Sequence, residues 1–183
     1  EAAGVGLYAY GCHRTRDSMQ ISYEIPVILN PDKEQDGLET IAAPLLKWYD
    51  ENRRVLPWRE DPAPYRVWIS EIMLQQTRVE AVKPYFQRFM ESLPDIAALA
   101  DVPEDRLLKL WEGLGYYNRA RNLKKAAGVI LAEYAGVMPA ETEALLKLPG
   151  LGSYTPGAVA SLSYGEHLPA ECGHVHRVIS RYS

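Results

Sequence analysis

The sequence predicts an all-α protein. Three observations predict it. From Leu38 onward, apolar residues recur at three- and four-residue spacing. Gly and Pro punctuate these runs at short intervals, which favours short loops between helices. No stretch in this part calls for a sheet. Hydrophobic residues make up 47% of the 183, enough to bury a sizeable core in one domain.

Residues 1–37 stand apart as a poorly defined N-terminal arm. Gly4, Gly6, Gly11 and the polar run from Arg14 to Ser18 give no period. Tyr23 to Leu29 reads as a short extended piece broken by Pro26, and Asn30-Pro31-Asp32 as a turn. The helical domain covers 38–183. Its first helix carries Leu38, Ile41, Leu45, Trp48 and Tyr49 as one stripe. Asn52 to Pro64 is a Pro-rich, charged loop. Val67 to Thr77 is a second helix, apolar nearly all round and therefore buried. Val79 to Met90 follows, with Pro84 at a bend. Ile96 to Ala100 and Glu104 to Trp111 are short helices with Asp95 and Pro103 near their starts. After the Gly113-Leu114-Gly115 loop, Tyr117 to Tyr134 is a long amphipathic helix. Arg119, Arg121, Lys124 and Lys125 lie on its polar part, and Gly136 and Pro139 end it.

Thr142 to Leu148 is a short helix with Leu145, Leu146 and Leu148 on its stripe. Pro149 and Gly150 stop it, and Gly152 permits a turn with positive φ. A further helix starts at Ser153, which can cap it, with Ala158, Val159 and Leu162 as its apolar face. Gly150 and Gly152 leave backbone bare where the N–H groups of a helix start point outward, a setting that suits a phosphate. The plainer reading is an ordinary turn with glycines for steric reasons. Gly165 to Pro169 is a loop, and Gly173 to Arg181 a last helix packed through Val175, Val178 and Ile179.

Charge narrows the partners. The net charge is −4, too acidic for a general polyanion binder. Only the middle, 47–125, is net positive, with 14 basic and 12 acidic residues. That balance still serves a protein that grips a few phosphates through backbone amides and local Arg. Two cysteines, Cys12 and Cys172, make no disulfide framework and fit a reducing compartment. No apolar run reaches membrane-spanning length, and no secretion signal opens the chain, so no membrane partner is expected.

Glu71 is the first candidate for chemistry. It lies three and four residues after Trp68 and Val67 on an apolar helix. Burial disfavours its charged form and raises its pKa, which suits a general acid near neutral pH. The alternative is a buried Glu paired with Arg59 or Arg119. Cys172, His174 and His176, with His167 nearby, suggest zinc by composition. Helix geometry sends residues two and four apart to different faces, so no metal site is expected.

Four stretches carry a resemblance: Leu56-Pro57-Trp58-Arg59, the run Trp68 to Val79 with Glu71-Ile72-Met73-Leu74-Gln75-Gln76-Thr77, the run Trp111 to Arg121, and Leu148-Pro149-Gly150-Leu151-Gly152-Ser153-Tyr154-Thr155. In order and spacing, over roughly residues 38–183, they resemble the MutY-type adenine glycosylases of the helix-hairpin-helix (HhH-GPD) base-excision repair superfamily. The resemblance implies that fold, mainly its six-helix lobe with the helix-hairpin-helix. It implies monofunctional hydrolysis of the N-glycosidic bond of adenine mispaired with 8-oxoguanine or G in double-stranded DNA. Glu71 would protonate the flipped adenine and help position water. Tyr154 would lie by the reacting sugar, with a plain core Tyr as the alternative. A Tyr here, where bifunctional relatives carry a Lys, cannot act as an amine nucleophile. Leu74, Gln76 and Thr77 end the second helix. Gln76 would enter the stack beside the estranged base with Thr77 near it, joined by Tyr116. An ordinary exposed helix end is the alternative. Arg54, Trp58 and Arg59 would line the base pocket, with a Trp-Arg pair in simple packing as the alternative. Gly150 and Gly152 would hold a phosphate, aided by a monovalent cation on the hairpin carbonyls.

The sequence departs from the family at one place. The family's Val-Asp-Gly-Asn-Val segment corresponds to Glu171-Cys172-Gly173-His174-Val175, so Cys172 stands in the usual Asp position. Three outcomes are open: a Cys172 thiolate as the anion, Glu171 as a displaced carboxylate, or an impaired site. Family members also continue into a 4Fe-4S loop with four Cys and a domain for oxidised guanine. Those cluster cysteines are absent here, and the chain reads as a truncated fragment and a monomer. The resemblance implies a cytoplasmic, nucleoid-associated protein in bacteria or a nuclear one in eukaryotes. The competing readings are a non-catalytic DNA-binding remnant and a plain helical interaction module. Salt-dependent duplex binding would exclude the last.

Overall fold

The computed structural model describes residues 13–15, 18–20, 38–166, 168, 170 and 172–182. Two short strands, β1 (His13–Thr15) and β2 (Ser18–Gln20), pair antiparallel with His13 opposite Gln20. Three-residue strands are too short to show alternation, which is why the arm gave no period. The proposed extended piece at 23–29 and the turn at 30–32 lie outside the described residues.

The rest is helical: α1 (Leu38–Asn52), α2 (Pro57–Glu60), α3 (Pro64–Leu74), α4 (Val79–Ser92), α5 (Ile96–Asp101), α6 (Glu104–Trp111), α7 (Asn118–Glu133), α8 (Thr142–Leu146), α9 (Tyr154–Tyr164) and α10 (Gly173–Tyr182). The loop expected from Asn52 to Pro64 contains the single turn α2. Pro57 occupies its first position, where a missing N–H matters least. Four residues are too few to show a helical period.

Helix α3 is the centre of the domain. It packs against α2, α4, α7 and α9. Trp68, Ile69 and Met73 are fully buried, and Val67 and Ile72 nearly so. This matches its apolar composition all round. The helix begins at Pro64 and stops at Leu74, three residues before the expected end. Helix α9 is also buried on most sides: Thr155 to Ser161 are all buried. Small residues there (Gly157, Ala158, Ala160) allow α9 and α3 to approach closely.

Caps come from several sources. The Asp95 carboxylate accepts from the Ala98 N–H at 2.8 Å and caps α5. Lys124 donates to the Val102 carbonyl just beyond the other end of α5. Ser153 does not act as the expected cap: its own backbone is already helical and its side chain makes no cap bond. The expected left-handed residue of the hairpin is Gly150, with φ 81°, rather than Gly152. A Cβ on Gly150 would fall 2.6 Å from Cβ of Asn122 on α7, so packing as well as backbone excludes a side chain there.

Four apolar stripes pack differently from expectation. Leu45 and Trp48 on α1 are 48% and 58% exposed, and Val175 and Val178 on α10 are exposed too. Leu146 and Leu162 are also exposed, while Leu145, Leu148, Ala158 and Val159 are buried. A stripe fixes which face of a helix is apolar. It does not fix which neighbours reach that face.

Candidate functional site

Helices α3 and α9 bring the candidate catalytic side chains together. Glu71 is on the third turn of α3, and Tyr154 is the first residue of α9. The Tyr154 hydroxyl donates to the Glu71 carboxylate. Burial raises the Glu71 pKa above the ordinary carboxylate range; the Tyr154 hydrogen bond and the Arg59 charge lower it, and burial wins. Tyr154 is half-buried. Burial, the Glu71 carboxylate and Cys172 together push its phenol upward, so it stays a neutral donor. Cys172, a partly buried free thiol just before α10, is close enough to bear on Tyr154. Glu171 and His167 lie outside the described residues.

This arrangement has a definite chemical capacity. A carboxyl whose pKa is raised by burial is better placed to deliver a proton to a leaving group. The neutral Tyr154 steadies the carboxylate that remains. Of the two alternatives for Glu71, Arg59 contributes a charge at a distance, whereas Arg119 turns elsewhere. Arg59 is exposed and stacks toward the Tyr49 ring at 5.7 Å. Arg54 is exposed; its carbonyl accepts from Arg59 at 3.4 Å. Trp58 is buried and meets Phe86 edge-on at 5.2 Å, so its ring sits in the core.

The hairpin between α8 and α9 leaves Gly150, Gly152 and Ser153 exposed. A Cβ on Gly152 would meet nothing within 4 Å, so this face of the turn is open to a ligand backbone. No side chain caps the first turn of α9. The exposed N–H dipoles there favour an anion.

The expected wedge residues sit on two adjoining turns. Gln76 and Tyr116 are both exposed, and both have left-handed backbone, φ 55° and 49°. Leu74 and Thr77 are partly buried beside Gln76, and the Thr77 hydroxyl donates to the Gln75 carbonyl at 3.3 Å. Arg119 joins the two turns. It was expected on the polar face of α7, but its guanidinium is turned inward and donates to Ile72, Met73 and Gln75 on one side and to Leu114 and Gly115 on the other. Sequence reasoning gave Arg119 no role in the wedge. The available signal was its place as the first cation after Gly113-Leu114-Gly115-Tyr116-Tyr117, at the start of a helix.

Among the described residues, no three His, Cys, Asp or Glu side chains gather as a metal site. No described helix is long and apolar enough to cross a membrane.

Comparison with known proteins places this architecture. The chain is 46% identical over 139 residues to an adenine DNA glycosylase of Buchnera aphidicola subsp. Acyrthosiphon pisum; the match covers 75% of this chain and 40% of that protein. It is 42% identical over 146 residues to the human adenine DNA glycosylase, covering 75% of this chain and 27% of the relative. The chain therefore spans well under half the length of these relatives. Among solved structures it is similar to a thermostable thymine-DNA glycosylase, with TM-score 0.73 and 31% identity, over 77% of this chain and 65% of the other. It is also similar to endonuclease III in a trapped covalent DNA intermediate with an estranged adenine, with TM-score 0.71 and 25% identity, over 80% and 68%. A family model described as HhH-GPD superfamily base excision DNA repair protein matches residues 69–183. The chain belongs to the HhH-GPD superfamily of base excision DNA repair proteins.

Proposed function

We propose that this chain is the helical lobe of a monofunctional DNA glycosylase that releases adenine opposite 8-oxoguanine or G. The observation that carries the reading is Glu71, largely withdrawn from solvent on α3 and accepting from Tyr154, with Cys172 close enough to bear on Tyr154. Its likeness to adenine DNA glycosylases supports the choice of base. In the proposed reaction, the protonated Glu71 carboxyl gives its proton to the departing adenine as the bond to C1′ breaks. Water adds to C1′ and returns a proton to Glu71. The developing positive charge on the sugar calls for a nearby anion. Cys172 occupies that position in place of the family's Asp. Tyr154 offers no amine, so strand cleavage through a Schiff base is not expected.

DNA would be held by the bare hairpin at Gly150 and Gly152 on one side. Gln76, Thr77, Leu74 and Tyr116 would fill the space left by the flipped base. Arg59, whose charge bears on Glu71 from a distance, and Arg54 would border the base. The hairpin is exposed at Gly150 and Gly152, so its carbonyls would be the groups to hold a monovalent cation. The chain's two cysteines cannot supply the four thiolates of a 4Fe-4S cluster, and no step here involves one.

A second reading rests on Cys172: a DNA-binding protein whose catalytic site is impaired. Single-turnover cleavage of a duplex with adenine opposite 8-oxoguanine, followed by alkaline strand scission, separates the two. The wild-type chain is expected to bind the duplex and release adenine slowly. Cys172→Asp is expected to raise the rate at least about tenfold. Binding by both proteins with release only by Cys172→Asp would favour the second reading. Absence of salt-dependent binding would remove both.

A further inference from the structure

We infer that Arg119 is a positioning residue that ties the two wedge turns into one unit, so that Gln76 and Tyr116 are presented to the duplex together. This rests on the proposed DNA reading of those turns. The geometry is specific. One terminal nitrogen of Arg119, Nη1, donates to the carbonyls of Ile72 (2.8 Å), Met73 (3.1 Å) and Gln75 (2.6 Å). The other, Nη2, donates to Leu114 (3.1 Å) and Gly115 (3.2 Å). The first group belongs to the C-terminal end of α3, where carbonyls lack helical partners and carry partial negative charge. The second group is the turn that leads into Tyr116. No carboxylate is among these acceptors, so the cation is committed to backbone.

Ring contacts extend the clamp. The Arg119 guanidinium lies 5.6 Å from the Tyr116 ring and 5.4 Å from the Trp111 ring. Trp111 in turn donates its ring N–H to the Gly115 carbonyl at 3.1 Å. The wedge tips themselves are unfavourable conformers: a side chain disfavours the left-handed region, and surroundings must hold it there. Arg119 is the contact shared by both turns. Its planar fork reaches two sets of carbonyls that diverge; a lysine ammonium can reach only one set.

The test uses the full chain, wild type and Arg119→Lys, in three measurements. Amide exchange is followed at residues 75–77 and 114–117. Affinity is measured for a duplex with adenine opposite 8-oxoguanine and for a fully paired duplex. The affinities are repeated in a Gln76→Ala/Tyr116→Ala background. In the wild type, the two turns should open together as denaturant rises, a result that needs no variant to fold. Arg119→Lys should speed exchange in both turns and weaken mismatch binding roughly tenfold, with a smaller change for paired DNA. In the double-alanine background, the same change should alter mismatch affinity by less than about twofold. Equal losses in both backgrounds would mean that Arg119 acts on general stability, and would overturn the proposal. Turns that open independently in a wild type that prefers the mismatch would overturn the clamp alone. Joint opening without mismatch preference would fail the DNA reading, and with it the role of the clamp in DNA binding.

Discussion

The hairpin before α9 and the wedge turns flanking α3 and α7 reach left-handed backbone by opposite routes. In the hairpin, Gly150 takes φ 81°, and a Cβ there would strike Asn122. In the wedge turns, Gln76 and Tyr116 take φ 55° and 49° with full side chains. The difference follows from what each turn must present. The hairpin offers backbone, so a side chain is an obstruction. The wedge offers side chains at its tips, so glycine would empty it. The strain of the second solution is held by contacts that converge on Arg119.

Glycine substitutions should therefore act in opposite directions at the two places. Gly150→Ala carries the largest expected effect. It combines a disfavoured φ with a 2.6 Å approach to Asn122 and should destabilise by about 2–4 kcal/mol in chemical denaturation. Gly152→Ala, whose Cβ meets nothing, is the matched control and should stay within about 0.5 kcal/mol. A similar loss at both glycines would break the contrast. Gln76→Gly should go the other way and stabilise by up to about 1 kcal/mol, because strain is released. The same variant should bind the mismatch duplex more weakly. Stabilisation with no loss of binding would separate the strain from its proposed use.

Much of this was legible in the sequence where one element decides its own fate. The apolar composition of α3 required burial whatever its neighbours, and it placed Glu71 in a low-dielectric setting. The interruptions at Pro149-Gly150 and Gly113-Leu114-Gly115 marked real turns. What stayed hidden depended on partners distant in sequence. Gly150 and Gly152 look alike along the chain; only Asn122 on α7 distinguishes them. The stripes of α1 and α10 are real, yet Leu45, Trp48, Val175 and Val178 remain exposed. Arg119 reads as one of four cations on an amphipathic helix. Its inward turn depends on carbonyls 44 to 47 residues earlier. Trp58 falls between these cases: its motif was visible, but its burial against Phe86 was not.

The central chemical claim is that burial raises the Glu71 pKa despite the Tyr154 hydrogen bond and the Arg59 charge. Thermal unfolding of the wild type and Glu71→Gln, from about pH 4 to about pH 8, tests it directly. A folded pKa raised above the unfolded value gives stability that is present below the unfolded pKa and is lost as pH rises through the folded one. The two proteins should therefore unfold at similar temperatures at the acid end. As pH rises, the wild type should fall progressively below the Gln variant. If the wild type instead gains on the variant with rising pH, Glu71 is a carboxylate stabilised by Arg59, and its role as the proton donor is contradicted.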